Sequence, residues 1–166
     1  PVTRFDKNNP ELQSFDWERV PLPVRDASFD AVLCLDTLEH IDTIHAATDD
    51  LFRVAKRSVV ISLPNCWKQA VKGIVRGRWE HAAYGIPLEK PMDRHKWFFN
   101  PEEALGFLAY RAHRAGWRIA KVCFHVSRET WWQRALYPWM FYIIPERYAK
   151  NWCTGTLFVA LVPQES

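Results

Sequence analysis

Phe29-Asp30-Ala31-Val32-Leu33-Cys34-Leu35 is nearly continuously apolar and follows a turn signal, Asp26-Ala27-Ser28. A run of this length and character suits a central β-strand covered on both faces. Downstream, Asp42 is placed to cap a helix reaching to about Arg57. Ile44, Leu51 and Val54, with Ala47 and Ala55, trace its apolar stripe, and Lys56 and Arg57 suit the negative end of its dipole. Ser58-Val59-Val60-Ile61-Ser62-Leu63 reads as a second buried strand, ended by Pro64-Asn65. Strand, helix, strand in this order predicts a right-handed crossover between two parallel strands.

Upstream, Val2 to Phe5 predicts a short strand ending at Asp6, and Asn8-Asn9-Pro10 breaks it. Phe15 to Val20 is ambiguous, and Pro21 and Pro23 stiffen the chain that follows. Beyond Asn65, residues 66–99 read as an insertion. Its first half places Trp67, Val71, Ile74 and Val75 on one side of a helix and Lys68, Lys72 and Arg76 on another, interrupted by Gly73 and Gly77. Its second half is aromatic and charged. Asn100-Pro101-Glu102-Glu103 is a strong helix start, with a capping residue, a proline at the first helical position and a glutamate to complete a capping box. Gly116 suits that helix's end. Trp117–Val126 and Thr156–Val162 predict two further strands, and an aromatic stretch over 130–150 lies between them.

The chain has 166 residues, 48% of them hydrophobic and 25% charged. That composition excludes disordered, collagen-like and low-complexity classes and predicts a single domain over 1–166. No apolar run reaches a membrane-spanning length, and the first residues lack the pattern of a signal peptide. A cytoplasmic setting is expected. Cys34, Cys66, Cys123 and Cys153 are too far apart for a zinc knuckle or a redox motif, so free thiols are expected. The net charge of +3 hides an asymmetry: residues 1–64 carry 7 basic and 11 acidic residues, and residues 65–100 carry 7 and 3. Different ligands are expected on the two parts.

Leu22-Pro23-Val24-Arg25-Asp26-Ala27-Ser28-Phe29-Asp30 before the first buried strand, and Leu38-Glu39-His40 after it, together with the strand ending Ser62-Leu63-Pro64-Asn65, resemble the class I S-adenosylmethionine-dependent methyltransferases. The similar branch reads LPF-x-D-x-SFD, then LEH. The resemblance implies an α/β, Rossmann-like, mostly parallel sheet in the order 3-2-1-4-5-7-6, with helices on both faces and an antiparallel C-terminal strand. It also implies a strand and glycine-rich turn before Asp6, which this sequence does not contain. Gly73 and Gly77 follow no strand and cannot supply that turn. A longer native N-terminus is therefore expected.

The implied cofactor is S-adenosylmethionine. The resemblance gives Asp6 the ribose hydroxyls, Asp16 and Trp17 the adenine, and Leu35 and Asp36 the floor of the nucleoside pocket. A carboxylate accepts two hydroxyl hydrogen bonds at once. His40, and alternatively His95, could serve as general base, because imidazole titrates near neutrality. Asp36, Glu39 and His40 fall at helical spacing and offer metal-ligating chemistry, but nothing in the sequence fixes further ligands, and no metal is expected. Tyr84 and Trp97 lie in the insertion, where the family shapes its acceptor pocket. The expected function is methyl transfer to a small or lipophilic acceptor, without nucleic acid. A peripheral membrane contact is allowed by the basic, aromatic stretches. The alternative is a non-catalytic, methyltransferase-like module.

Overall fold

The computed structural model describes residues 3, 18–77, 84, 86, 88–90, 94–126, 135, 139, 142–146, 148, 151 and 154–164. Its elements are β1 (Phe29–Leu35), a 3-10 turn (Leu38–His40), α1 (Ile44–Val54), β2 (Ala55–Pro64), α2 (Cys66–Arg76), α3 (Pro101–Arg114), β3 (Trp117–Val126) and β4 (Thr154–Pro163).

The strands form one sheet in the order β1-β2-β4-β3. β1 and β2 are parallel, with Cys34 beside Ile61 and Leu35 beside Ser62. β4 runs antiparallel to both β2 and β3. This is the 4-5-7-6 part of the expected sheet, antiparallel C-terminal strand included. The described strands thus comprise one parallel and two antiparallel pairs. The strand expected over Val2–Phe5 lies, apart from Thr3, outside the described residues.

Burial explains why these segments pair. Val59, Ile61 and Leu63 of β2 and Leu157, Val159 and Leu161 of β4 alternate onto one face. There they meet Ala47, Leu51 and Phe52 of α1 and Ala104, Leu108 and Ala112 of α3. Each large apolar side chain buried this way contributes about 1.5–3 kcal/mol. α3 starts as its sequence dictates. The Asn100 side chain accepts from the Glu102 and Glu103 amides, both at 2.9 Å, and the Glu103 carboxylate accepts from the Asn100 amide at 2.8 Å. Gly116 follows the helix at φ 73°, a left-handed conformation that costs glycine little.

Three expectations need correction. β1 is not covered on both faces. Among the described residues it is the edge of the sheet, with Cys34 buried inward and Leu33 67% exposed on the other side. α1 does not run from an Asp42 cap to Arg57; it spans Ile44–Val54, and Lys56 and Arg57 already belong to β2. Asp42 does not cap it. The Glu18 carboxylate, 24 residues upstream, accepts from the Asp42 amide at 3.0 and 3.1 Å and from the Thr43 amide at 3.3 Å.

The proline-stiffened stretch before β1 is tied to α1 by a charged clamp. Buried Asp50 accepts from the Leu22 amide at 2.6 Å and from Arg53 Nε at 2.6 Å. Arg53 also reaches the carbonyls of Leu22 and Val24 and the Asp26 carboxylate. The hydrogen bonds to Asp50 and Asp26 hold its guanidinium pKa above the usual arginine value.

Candidate functional site

The carboxyl ends of the parallel strands β1 and β2 lie side by side, and in open α/β sheets that rim is where ligands bind. β1 ends at Leu35, which is 48% exposed. Asp36 follows in a left-handed conformation, φ 45°, which aspartate tolerates better than most residues. Ser62 on β2 fixes it. The Asp36 amide donates to Ser62 Oγ at 2.9 Å, and Ser62 Oγ donates to Asp36 Oδ1 at 2.9 Å. The chain then enters the 3-10 turn, burying Leu38 and Glu39.

β2 ends in Pro64, and Asn65 organises what comes next. Its side chain accepts from the Lys68 amide at 3.2 Å, capping α2, and donates to the carbonyls of Asn151 at 2.6 Å and Thr154 at 3.0 Å. Cys66 therefore starts α2 just beyond the carboxyl end of β2, fully buried.

The segment 94–100 crosses this rim as a strap. The Lys96 amide donates to the Glu39 carbonyl at 2.8 Å, and Trp97 Nε1 donates to the Ile41 carbonyl at 2.7 Å. The Lys96 ammonium also reaches the Glu18 carboxylate, and Asp42 Oδ2 at 2.6 Å.

His95 projects from the strap into a small cluster. Its Nδ1 is 2.8 Å from the Tyr84 hydroxyl and 3.9 Å from Cys66 Sγ. Its ring meets that of His40 edge to face, with centroids 4.8 Å apart. His40 Nδ1 lies 3.2 Å from the Arg94 carbonyl, and its Nε2 lies 3.6 Å from Glu39 Oε1. Burial pushes the Tyr84 phenol well above the usual tyrosine value, helped by its hydrogen bond with Cys66. The Cys66 thiol is also raised by burial. Both groups keep their protons at neutral pH and act as hydrogen-bond partners, not as nucleophiles.

Trp97, held by Ile41, borders an apolar cavity of about 210 Å³ that also involves Leu63, Phe98, Phe99 and Phe107, with His45 among its walls. Trp67 and Tyr84 both pack against Phe98, at 5.5 and 5.9 Å between centroids. Aromatic surface thus runs from α2 to the histidine cluster.

The structure brings His40, His95 and Tyr84 together and places Trp97 on the same strap. Leu35 and Asp36 stand at the β1 end of the same rim. Asp6, Asp16 and Trp17 lie outside the described residues. The spacing Asp36, Glu39, His40 does not produce a common helical face, because Asp36 is left-handed and bonded to Ser62. Glu39 and His40 are joined by His95 instead, the three ligand atoms lying within 4.8 Å of one another. Sequence reading missed Glu18, Ser62 and Cys66. Of these, Cys66 carried a usable signal, since it directly follows the strand-ending Pro64-Asn65.

Residues 3–63 match the family described as a methyltransferase domain. Of that span, residues 18–63 include β1, α1 and nearly all of β2 as just described. The fold agrees across most of the chain. A candidate S-adenosylmethionine-dependent methyltransferase from Listeria monocytogenes is 15% identical over 95% of this chain and 72% of its own, with a TM-score of 0.53. A chain of the complex between the Haloferax volcanii Trm112 methyltransferase activator and a candidate methyltransferase is 13% identical, with a TM-score of 0.53. The magnesium protoporphyrin IX methyltransferase of Synechocystis PCC 6803, solved with bound S-adenosylhomocysteine, is 14% identical, with a TM-score of 0.50. This chain covers 60% of the Haloferax chain and 49% of the Synechocystis chain, and is itself covered to 92% and 90%. No curated protein sequence matches it.

Proposed function

We propose that this chain carries out S-adenosylmethionine-dependent methyl transfer to a small, lipophilic acceptor. The observation that carries the reading is the gathering of His40, His95 and Tyr84 beside the carboxyl ends of β1 and β2, on a sheet with a methyltransferase strand order. The rim suits a cationic nucleoside: Leu35 offers a half-exposed apolar side chain and Asp36 a carboxylate. On this reading Asp6 accepts from the ribose hydroxyls, and Asp16 and Trp17 receive the adenine.

Bound there, the sulfonium supplies an electrophilic methyl group. An acceptor O, N or C nucleophile would take that methyl group, its new bond to carbon forming as the C–S bond breaks, with a thioether as the leaving group. The protein's contribution is alignment of the two reactants. His40 or His95 takes the nucleophile's proton where one must go, and Tyr84 holds His95 in place.

A lipophilic acceptor is favoured by a second observation. α2 exposes Ile74 (70%) and Val75 (76%), and Trp67 at its start continues through Phe98 toward the cluster. Its charged residues are all basic, Lys68, Lys72 and Arg76. That pattern fits a helix lying on an anionic lipid surface, from which an acceptor could be passed inward.

The test uses the protein expressed from its own initiator methionine, with methyl-labelled S-adenosylmethionine. Label in solvent-extractable small molecules is expected. Transfer to RNA alone would contradict the acceptor class. Absence of cofactor binding would favour the non-catalytic module.

A further inference from the structure

We propose that the apolar cavity bordered by Trp97 is a binding site for an uncharged aromatic ligand that carries one hydroxyl, of the size of a fused-ring phenol. The inference goes beyond the methyl-transfer reading and does not depend on it. Among the described residues, none of the His40, His95 and Tyr84 cluster lines this cavity.

The cavity lies where the strap passes over the starts of two helices. Leu63 near the end of β2, Ile44 at the start of α1 and Ala104 near the start of α3 line it and are buried, so they make its floor. Trp97 and Phe99 of the strap and Phe107 of α3 make its walls. His45 and Glu103 also line it and are exposed, which places them at its mouth. A well-packed interior leaves few gaps larger than a water molecule, whereas this one measures about 210 Å³. Water finds few hydrogen-bond partners on such a floor.

Size and walls select the body of the ligand. A cavity of about 150 Å³ lined by apolar side chains holds benzene, so the larger volume here admits a second fused ring. The His45 ring meets Trp97 and Phe107 nearly at right angles, at 76° and 86°, with centroids 5.6 and 5.3 Å apart. Trp97 is fixed further by its hydrogen bond to the Ile41 carbonyl at 2.7 Å. These rings hold one another in set orientations before a ligand arrives, which lowers the cost of binding. An aromatic guest gains edge-to-face and offset contacts from them that a saturated one cannot make.

Charge selects the polar end. Among the described residues, the lining holds a single carboxylate, that of Glu103, and no lysine or arginine. An anionic ligand would face that carboxylate beside an apolar floor, so repulsion and desolvation both oppose it. A hydroxyl is favoured instead. Glu103 Oε2 accepts from the Asn100 amide at 2.8 Å in the capping box. A carboxylate offers about four lone-pair sites, so it can also accept from a ligand O–H without releasing the helix start. The ligand enters ring first and leaves its hydroxyl at the mouth.

The test titrates the full chain by calorimetry with 2-naphthol, and in parallel with its saturated analogue decahydro-2-naphthol and with the anion 2-naphthoate. One 2-naphthol per chain is expected, with the saturated analogue several-fold weaker and 2-naphthoate weaker by tenfold or more. Ala104→Leu fills the floor and should weaken 2-naphthol by tenfold or more at an unchanged or raised melting temperature. Glu103→Gln preserves the capping box and should narrow the gap between 2-naphthol and 2-naphthoate several-fold. Near-ultraviolet circular dichroism verifies folding. If Ala104→Leu does not fold, His45→Trp, at the exposed mouth, takes its place with the same expectation. No binding of 2-naphthol by wild type, equal binding of 2-naphthoate, or unchanged affinity in the folded blocking variant overturns the site. Because no S-adenosylmethionine enters the titration, its outcome is independent of whether methyl transfer occurs.

Discussion

At the scale of single residues, Glu18 shows how a charged side chain can define an element far from it in sequence. Its carboxylate accepts from the Asp42 and Thr43 amides and from Lys96, joining the chain before β1, the start of α1 and the strap. Burial pushes its pKa up, but Lys96 and the two amides outweigh this and hold it below the ordinary 4.5. A depressed folded value means the unfolded chain takes up the proton first as the pH falls. The contribution to stability is therefore fully present above the ordinary glutamate value and is lost as the pH drops through the lower folded one. Glu18→Gln should cost on the order of 1 kcal/mol at neutral pH, given solvent screening. Its denaturant midpoint should converge with that of wild type in acid. Parallel midpoints at all pH values would contradict the role.

Helices and strands differ in how far their own sequence specifies them. α3 was legible because its start is local: Asn100, Pro101 and Glu103 make the capping box among themselves. Asn100→Ala should lower stability by about 1 kcal/mol, measured by urea unfolding, and no loss would mean the box is redundant. α1 was legible in its apolar stripe, but its first turn was not, since Glu18 satisfies those amides across 24 residues of sequence. β1 looked like a doubly covered strand because apolar residues fill it almost continuously. In the described sheet only its inward side, with Cys34 pushed up to about 12 by burial, meets the core. α2 was readable as basic and amphipathic, and its exposed side gives a separate prediction. Vesicles containing anionic lipid should sediment the protein, less so as salt rises, and Ile74→Ser with Val75→Ser should reduce this at least several-fold. Salt-independent binding, or none, would remove the lipid-surface part of the proposal.

For the molecule as a whole, topology does what no motif could. The sheet order β1-β2-β4-β3 brings the loops after two parallel strands to one rim, and the strap over 94–100 closes across it. His40 and His95 were each recognisable from residue chemistry. Their meeting was not, because it depends on the strap's hydrogen bonds to Glu39, His40 and Ile41. Tyr84 and Cys66 joined the same cluster through contacts spanning 11 and 29 residues, a range over which local patterns carry no information. The central claim is that this rim binds a sulfonium nucleoside. Titration calorimetry of S-adenosylmethionine into the protein expressed from its initiator methionine tests it most directly. Leu35→Arg serves as the paired variant, placing a bulky cation on the exposed end of β1. One site per chain is predicted for wild type, with affinity reduced tenfold or more in Leu35→Arg at unchanged melting temperature. No binding heat from wild type, or equal binding by the variant, would contradict it.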